Sequence, residues 1–462
     1  MLLSSVQFGE TRPQAAAARA PRYSAGEIQA LKERDNTTNI SHLAFVYVVM
    51  AMTLAVSVWS YLAIASGALA WGWAVPVTLV AVIIMGASQH QLGGVIHEGT
   101  HYMLFANRRL SELASDWLAA FPIYTSTYAF RLHHLAHHQF VNDPERDPNF
   151  DQAKESGHWL DFPVAHVEFL WAVMRLLWLP NLVRYIAARA KYSAIGVDTN
   201  PYADTVQRGS KWTVRNGIMF AVGAPLIVVP MVAAKLWAAA GITLFAMWAA
   251  VTVYYLVIPE GDFQKSKIDP VISHRVTAIG RMTWLAIVYG LLTAAEYVYS
   301  VPAWGFYGLL WILPLFTTFP LFMILREWLQ HGNADRGRLT NSRIFLVNPL
   351  MRYAVFPWGM DYHLPHHLFA SVPHYKLKTL HDVLLRDPEY RENGVIVEGW
   401  SRPPHPELGL PTIIEVLGPT RAGAATEIHV DDATLELAEV NDKAGVQKHV
   451  DASRRQVAKA GD

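Results

Sequence analysis

Six apolar runs of membrane-crossing length limit this chain before any motif is considered. About 20 apolar residues in a helix cross the hydrocarbon core of a bilayer. With no water there, each backbone N–H and C=O must be bonded inside the protein, which leaves helices or closed barrels. The runs are 43–66, 73–95, 217–234, 241–258 and 303–325, with a sixth at 282–301 that carries Glu296. Composition agrees: 52% of residues are hydrophobic, only 16% are charged, and there are 16 Trp. The expected fold is an all-α integral membrane protein with about four to six transmembrane helices.

Acidic and basic residues balance at 38 each, so nothing in the charge calls for nucleic acid. There is no Cys, which excludes disulfides, Cys-ligated zinc, iron–sulfur clusters on this chain and thiol catalysis. The polar N-terminal stretch, with Arg12, Arg19, Arg22, Lys32 and Arg34, lacks the apolar core of a cleavable signal peptide. An even number of spans puts both ends on one side. The long segments 97–212 and 259–281 are rich in Arg and Lys, whereas the short loops 67–72 and 235–240 hold one Lys between them. Positive charge on the inside then places both termini and the long loops in the cytoplasm. The expected organisation is a cytoplasmic segment over 1–42, a membrane domain with a cytoplasmic helical cap over 43–417, and a cytoplasmic tail over 418–462. The tail is Ala-rich and poor in aromatics, which predicts disorder. The stretch 164–190 is amphipathic, carries Glu168, Arg175 and Arg184, and is expected to lie in the membrane interface.

The chain has 20 histidines, and their clustering carries the chemistry. The string HEGTH places His97 and His101 four apart, one helical turn, at the end of the second apolar run. Taken alone it is the H-E-x-x-H of a zinc protease, with Glu98 as base. Two further boxes argue against that. RLHHLAHHQF holds His133, His134, His137 and His138; DYHLPHHLF holds His363, His366 and His367. The third box has spacing i, i+3, i+4, and the same spacing in the second selects His134, His137 and His138 and leaves His133 over. His331, just past the last apolar run, is a ninth candidate. Nine imidazoles exceed the three or four that one tetrahedral zinc takes. They suit two metals at four to five ligands each with positions left open for oxygen. Imidazole accepts Fe, Zn and Cu alike, so ligand type does not name the metal; iron is favoured because such a site beside a membrane suits O₂ chemistry on inert hydrocarbon. A protease reading would leave boxes two and three without a purpose, and the spans contain no Asp to serve as third ligand.

The three boxes, in this order and spacing and next to apolar spans, resemble the membrane fatty acid desaturase family, with its related hydroxylases, alkane monooxygenases and carotenoid oxygenases. The similarity runs from about His97 to about Asp382, through HHLAHHQFVNDPERDPNF and DYHLPHHLFASVPHYKLKTLHDVL. Ala370 stands where many members have Pro, and Gln330 precedes His331 where members often have Glu. The resemblance implies a non-haem centre of two Fe on the cytoplasmic face, O₂ as co-substrate, and a lipid acyl chain or hydrocarbon as substrate. It carries the ligand role onto His97, His101, His134, His137, His138, His331, His363, His366 and His367. It implies desaturation of an acyl chain; hydroxylation of a lipid acyl chain or hydrocarbon, carotenoid-type oxygenation included, uses the same boxes and stays open. Electrons must come from a separate ferredoxin, rubredoxin or cytochrome with its reductase, since the chain has no Cys and no His-Pro-Gly-Gly haem string.

Among the remaining candidates, His90 and His133 are expected to be packed or to support ligands, and His158, His166, His374, His381 and His405 to be surface or structural. Asp143, Asp147 and Asp361 are candidate carboxylates for orienting imidazoles. Trp117, Tyr124, Tyr128 and Trp358 are candidates for lining an acyl tunnel or anchoring the interface.

Overall fold

A computed structural model describes residues 22–419, apart from 195–199, 201, 203, 205–208 and 264. Residues 1–21 of the expected first segment and 420–462 of the expected tail lie outside the described residues. The principal helices are α1 (Thr38–Ala65), α2 (Ala74–Thr100), α3 (Thr127–Gln139), α4 (Pro148–Ser156), α5 (His166–Leu176), α6 (Leu179–Ala194), α7 (Lys211–Ala233), α8 (Trp237–Val257), α9 (His274–Tyr299), α10 (Thr318–His331) and α11 (His363–Leu368).

Among the described residues six segments are long and apolar enough to cross a membrane: α1, α2 with the turn before it, α7, α8, α9 and Ala303–His331. Their outer faces leave large apolar side chains uncovered, among them Phe45, Met52 and Trp59 on α1, Leu226 on α7 and Phe245 on α8. Faces of that kind require lipid around them. Helices α7, α8 and α9 pack on one another through Phe220, Leu244 and Leu285. Helix α2 changes character along its length: Val75, Leu79, Val80 and Ile83 are exposed. From Met85 to Thr100 every residue except Gly93 is buried. Two glycines admit its neighbours. A Cβ on Gly86 would lie 2.8 Å from the backbone nitrogen of Phe319, and one on Gly94 would lie 2.8 Å from Cγ of Trp358.

The sixth span departs from the single helix expected over 303–325. It carries a π-turn at Gly308–Ile312 and breaks at Thr317, where φ is −129° and ψ is −84°. Pro314 and Pro320 each remove a helical N–H and crowd the carbonyl four residues back, and the freed groups find local partners: Thr317 Oγ1 donates to the carbonyl of Leu313 at 2.7 Å. Beyond the break α10 runs on to His331, so that imidazole sits on the helix itself.

The amphipathic stretch is two helices, α5 and α6. Phe169, Ala172 and Leu176 face inward. Val167, Leu170, Trp171 and Met174 form an outer apolar row suited to a lipid interface. Residues after α10 fold into a cap with one short parallel pair, β1 (Ile344–Leu346) and β2 (Ile396–Glu398), in register Ile344↔Ile396. This pair pins the start of α11: Phe345 N–H donates to the carbonyl of Asp361 at 2.8 Å, and Leu364 N–H to that of Arg343 at 3.3 Å. Arg343, itself buried, donates from Nη1 to the carbonyl of Leu329 at 2.7 Å and from Nη2 to that of Gly332, capping the end of α10. One arginine thereby ties the helix of His331 to the helix of the third box.

Candidate metal centre

Each box sits where local sequence makes a helix. Ser126 caps α3 by accepting from Ala129 N–H at 3.3 Å, and the second box fills its last two turns. Pro365 is tolerated in the first turn of α11, where an N–H would have no partner. HEGTH ends α2, with His101 as its cap.

The nine candidate imidazoles come together, and all are buried. They form two groups: His97, His101, His134, His138 and His366 in one, and His137, His331, His363 and His367 in the other, each with its nitrogens within 4.8 Å of one another. Boxes two and three are both divided. On a helix, i and i+4 point 40° apart and i+3 lies to the other side. Hence His134 and His138 enter the first group while His137 turns to the second; His363 and His367 enter the second while His366 turns to the first. The exchange is reciprocal and makes the two groups neighbours.

The nitrogens converge. His134 Nε2 lies 3.0 Å from His101 Nε2, His138 Nε2 lies 2.9 Å from His134 Nε2, and His366 Nε2 lies 3.1 Å from His138 Nε2. In the second group His363 Nε2 is 2.9 Å from His331 Nε2 and 3.0 Å from His367 Nε2. A neutral ring nitrogen either donates or accepts, so the three successive contacts of the first group cannot all be linear hydrogen bonds. Both ring nitrogens of buried His97 lack a hydrogen-bond partner. A cation at the centre of each group would take every lone pair at once. The spacing fits: two ligands at right angles on bonds of about 2.1 Å stand about 3.0 Å apart. Burial, reinforced by neighbouring charges, holds His134, His138, His363, His366 and His367 well below the ordinary imidazole pKa, and His101 down to about 3. These rings are neutral, the form that ligates metal.

Partners outside the groups fix some rings. His331 Nδ1 donates to the carbonyl of Asn341 at 3.0 Å, which leaves Nε2 as the inward lone pair. Asp147 does three things. Its Oδ1 caps α4 by accepting from Asn149 N–H at 2.9 Å, and its Oδ2 accepts from Asn142 N–H at 3.0 Å and meets His137 Nδ1 at 2.9 Å. Burial opposes a charge on His137, but the Asp147 carboxylate outweighs it and the pKa is raised. Of the three expected carboxylates only Asp147 meets an imidazole. Asp143 pairs with Arg146 and Arg336, and Asp361 with Arg352 at 2.6 Å, because arginines sit closer to them than any ring. Sequence reasoning missed Asn149, whose side chain meets His133, His137 and Glu327. The Asp-Pro-Asn string is a helix start, and that cap was the legible signal.

His90 is packed, bonded to the carbonyl of Ala354 at 2.8 Å. His374 and His381 are buried structural residues, on Asn39 and Tyr390. Glu98 accepts the backbone N–H of His374 at 3.0 Å and stands 3.6 Å from His97 Nδ1. The H-E-x-x-H string is thus one arm of a larger assembly. Trp117, Tyr124, Tyr128 and Trp358 do not border the cavity beside the histidines, which is lined instead by Phe130, Phe150, Phe162, Met323 and Trp328. Tyr124 is held by Tyr307 at 2.7 Å, and Trp358 packs on His374.

The family profile described as fatty acid desaturase matches residues 73–276 and 255–398. The dihydrorhizobitoxine desaturase of Bradyrhizobium elkanii is 22% identical over 381 residues, 79% of this chain and 82% of that protein. The Delta(5) fatty acid desaturase fat-4 of Caenorhabditis elegans is 37% identical over 73 residues, 16% of each chain. With the profile match spanning more than half of its length and six helices fit to cross a bilayer, the chain is a multi-pass membrane oxidoreductase of the fatty acid desaturase family.

Proposed function

We propose that the protein introduces a double bond into a fatty acyl chain, using O₂ and two iron ions held by the nine histidines. His97, His101, His134, His138 and His366 would hold one ion, and His137, His331, His363 and His367 the other. The observation that carries this reading is the division of nine buried imidazoles into two convergent groups. When bound, two irons supply O₂ activation and removal of hydrogen from an unactivated C–H bond. Desaturation takes two electrons from the chain and two from an external donor, and reduces O₂ to two waters. The protein's own part is to keep most of the imidazoles neutral through burial, to aim His331 and His137 through Asn341 and Asp147, and to present the chain in the adjoining cavity. Both relatives are named desaturases, which favours desaturation over hydroxylation.

Orientation and partners belong to the same proposal. Loop charge places the histidines, both termini and the cap in the cytoplasm, in reach of a separate ferredoxin, rubredoxin or cytochrome donor with its reductase. The division into an N-terminal segment 1–42, a membrane domain 43–417 and a tail 418–462 follows the same reading. Expression in a host supplying ferredoxin and reductase under ¹⁸O₂ tests the reaction. Acyl chains two hydrogens lighter and free of label are expected; labelled chains without a new double bond would replace desaturase by hydroxylase.

A further inference from the structure

One cavity, about 410 Å³, borders both histidine groups, touching His97 and His134 of the first and His137, His331 and His363 of the second. That is the small end of the range for ligand sites, roughly 300–1,000 Å³. Its wall mixes aromatic and aliphatic side chains, such as Phe130, Phe162 and Met323, with imidazoles and amides, and two guanidinium groups also line it: Arg189 from α6 and Arg326 from α10. Arg326 makes no hydrogen bond or ion pair with any described residue, and its Nε is buried without an acceptor. The carboxylate next to it in sequence, Glu327, also lines the cavity but accepts from Asn149 Nδ2 at 2.8 Å. Arg189 lies over the ring of Phe130, 5.1 Å from its centre, a contact with the ring face that does not itself use the N–H donors.

Two cations and the Glu327 carboxylate share this partly apolar cavity, which leaves an excess positive charge short of hydration, and such an excess is retained where a further anion completes it. Arginine presents a planar fork of donors matched to carboxylate and phosphate. Ionisable residues on membrane-spanning helices face a cavity for a purpose. We propose that the substrate of this enzyme carries an anionic group, a carboxylate or a phosphate, that sits inside the cavity on Arg326 and Arg189. The inference rests on the desaturase reading only for calling the occupant a substrate. Arg326 precedes His331 by five residues on α10, a rise of about 7.5 Å. The anion and the bond that reacts therefore belong to one small part of the molecule. This is a different arrangement from an acyl chain whose only charge is far outside the site.

Binding to the full-length protein in detergent, read by quenching of tryptophan fluorescence with Trp159 and Trp328 in the cavity wall, tests this without turnover. The probes are decanoate, decyl phosphate and methyl decanoate. At least one charged probe should bind about tenfold or more tighter than the ester, the effect of a charge-assisted bond. In Arg326→Gln this advantage should shrink to about twofold or less while ester affinity holds and iron content is unchanged; Arg326→Lys and Arg189→Gln should retain part of it. Preference for decanoate identifies a free acid, and preference for decyl phosphate a phosphorylated lipid. Equal binding of ester and both anions by the wild type overturns the proposal. So does an advantage that survives in the Arg326→Gln, Arg189→Gln double variant. Should Arg326→Gln not fold, Arg326→Lys and Arg189→Gln decide. Loss of the proposed reaction with the binding preference intact would count against desaturation and not against the anion site.

Discussion

The two histidine groups use one side chain and are held in different ways. The group of five draws on three segments, α2, α3 and α11, and its member His97 has no hydrogen bond from either ring nitrogen. The group of four is tethered from outside, His137 by Asp147 and His331 by the carbonyl of Asn341. The first group is shaped by packing and completed by what it binds; the second has two rings aimed before anything binds, while Nδ1 of His363 is buried without a partner. A centre built this way has one partly preorganised group and one that depends more on the ion for its polar satisfaction.

The largest test of that contrast is deletion of single ligands. His363→Ala leaves three imidazoles in its group, whereas His134→Ala leaves four in the other. Both should lower activity by more than about 100-fold. Elemental analysis of anaerobically purified protein should show about two Fe in the wild type. His363→Ala should lose its ion more completely than His134→Ala. Equal iron content in both variants and the wild type would sink the ligand assignment.

A smaller effect is expected at the tethers. Asp147→Asn keeps the cap on α4 but removes the charge beside His137, and should weaken metal binding by about 10- to 100-fold. Glu98→Gln should change it by about threefold or less, because Glu98 bonds a backbone N–H and lies 3.6 Å from His97 Nδ1. Chelator competition on the two variants measures the difference. Reversal of the order would make His97 the tethered ring and undo the comparison.

Acid separates two of the rings, His101 and His137, by sign. His101 titrates at about 3 in the fold against 6.5 when free, so between those values the unfolded chain binds more protons and stability falls as pH falls. His137 is raised, so its contribution is present at low pH and is lost as pH rises through its folded value. Thermal melts of metal-free protein from pH 7 to 4 should show a net decline, since burial lowers most of the rings in both groups. A flat profile would mean the imidazoles are solvated without metal.

The smallest effect lies outside both groups. Burial, then the charge of Glu112, pushes Asp116 up to about 7, and the same side chain accepts Thr127 N–H at 2.7 Å at the start of α3. A raised carboxyl pKa gives stability that is present below the free value of 3.8 and is lost progressively as pH rises to about 7. Asp116→Asn keeps an acceptor and removes that titration. Its melting temperature should match the wild type near pH 4, and exceed it by a margin that opens between about pH 4 and 7 and reaches a few degrees, about 2–4 °C, at pH 8. A gap of the same size at every pH would assign the effect to packing.

Much of this molecule was legible one residue at a time. Apolar length named the six spans, because lipid leaves the backbone no other partner. Spacing of i, i+3, i+4 selected His134, His137 and His138 and left His133, which bonds Asn149. Even His331 was visible as a histidine beside a span. The division of the boxes was not legible, because spacing gives the angle between side chains on one helix but not where another helix stands. Nor were the partners. Asp143, Asp147 and Asp361 look equivalent in the chain, and only the positions of Arg336 and Arg352 decide that two of them bind arginine while Asp147 meets His137. Local sequence determines which groups exist and which way each leaves its own helix, since those follow from bond geometry and the helical repeat. Which of them meet, which imidazole is left without a partner and which arginine faces a cavity are set by packing between residues far apart in sequence, and only the tertiary structure decides them.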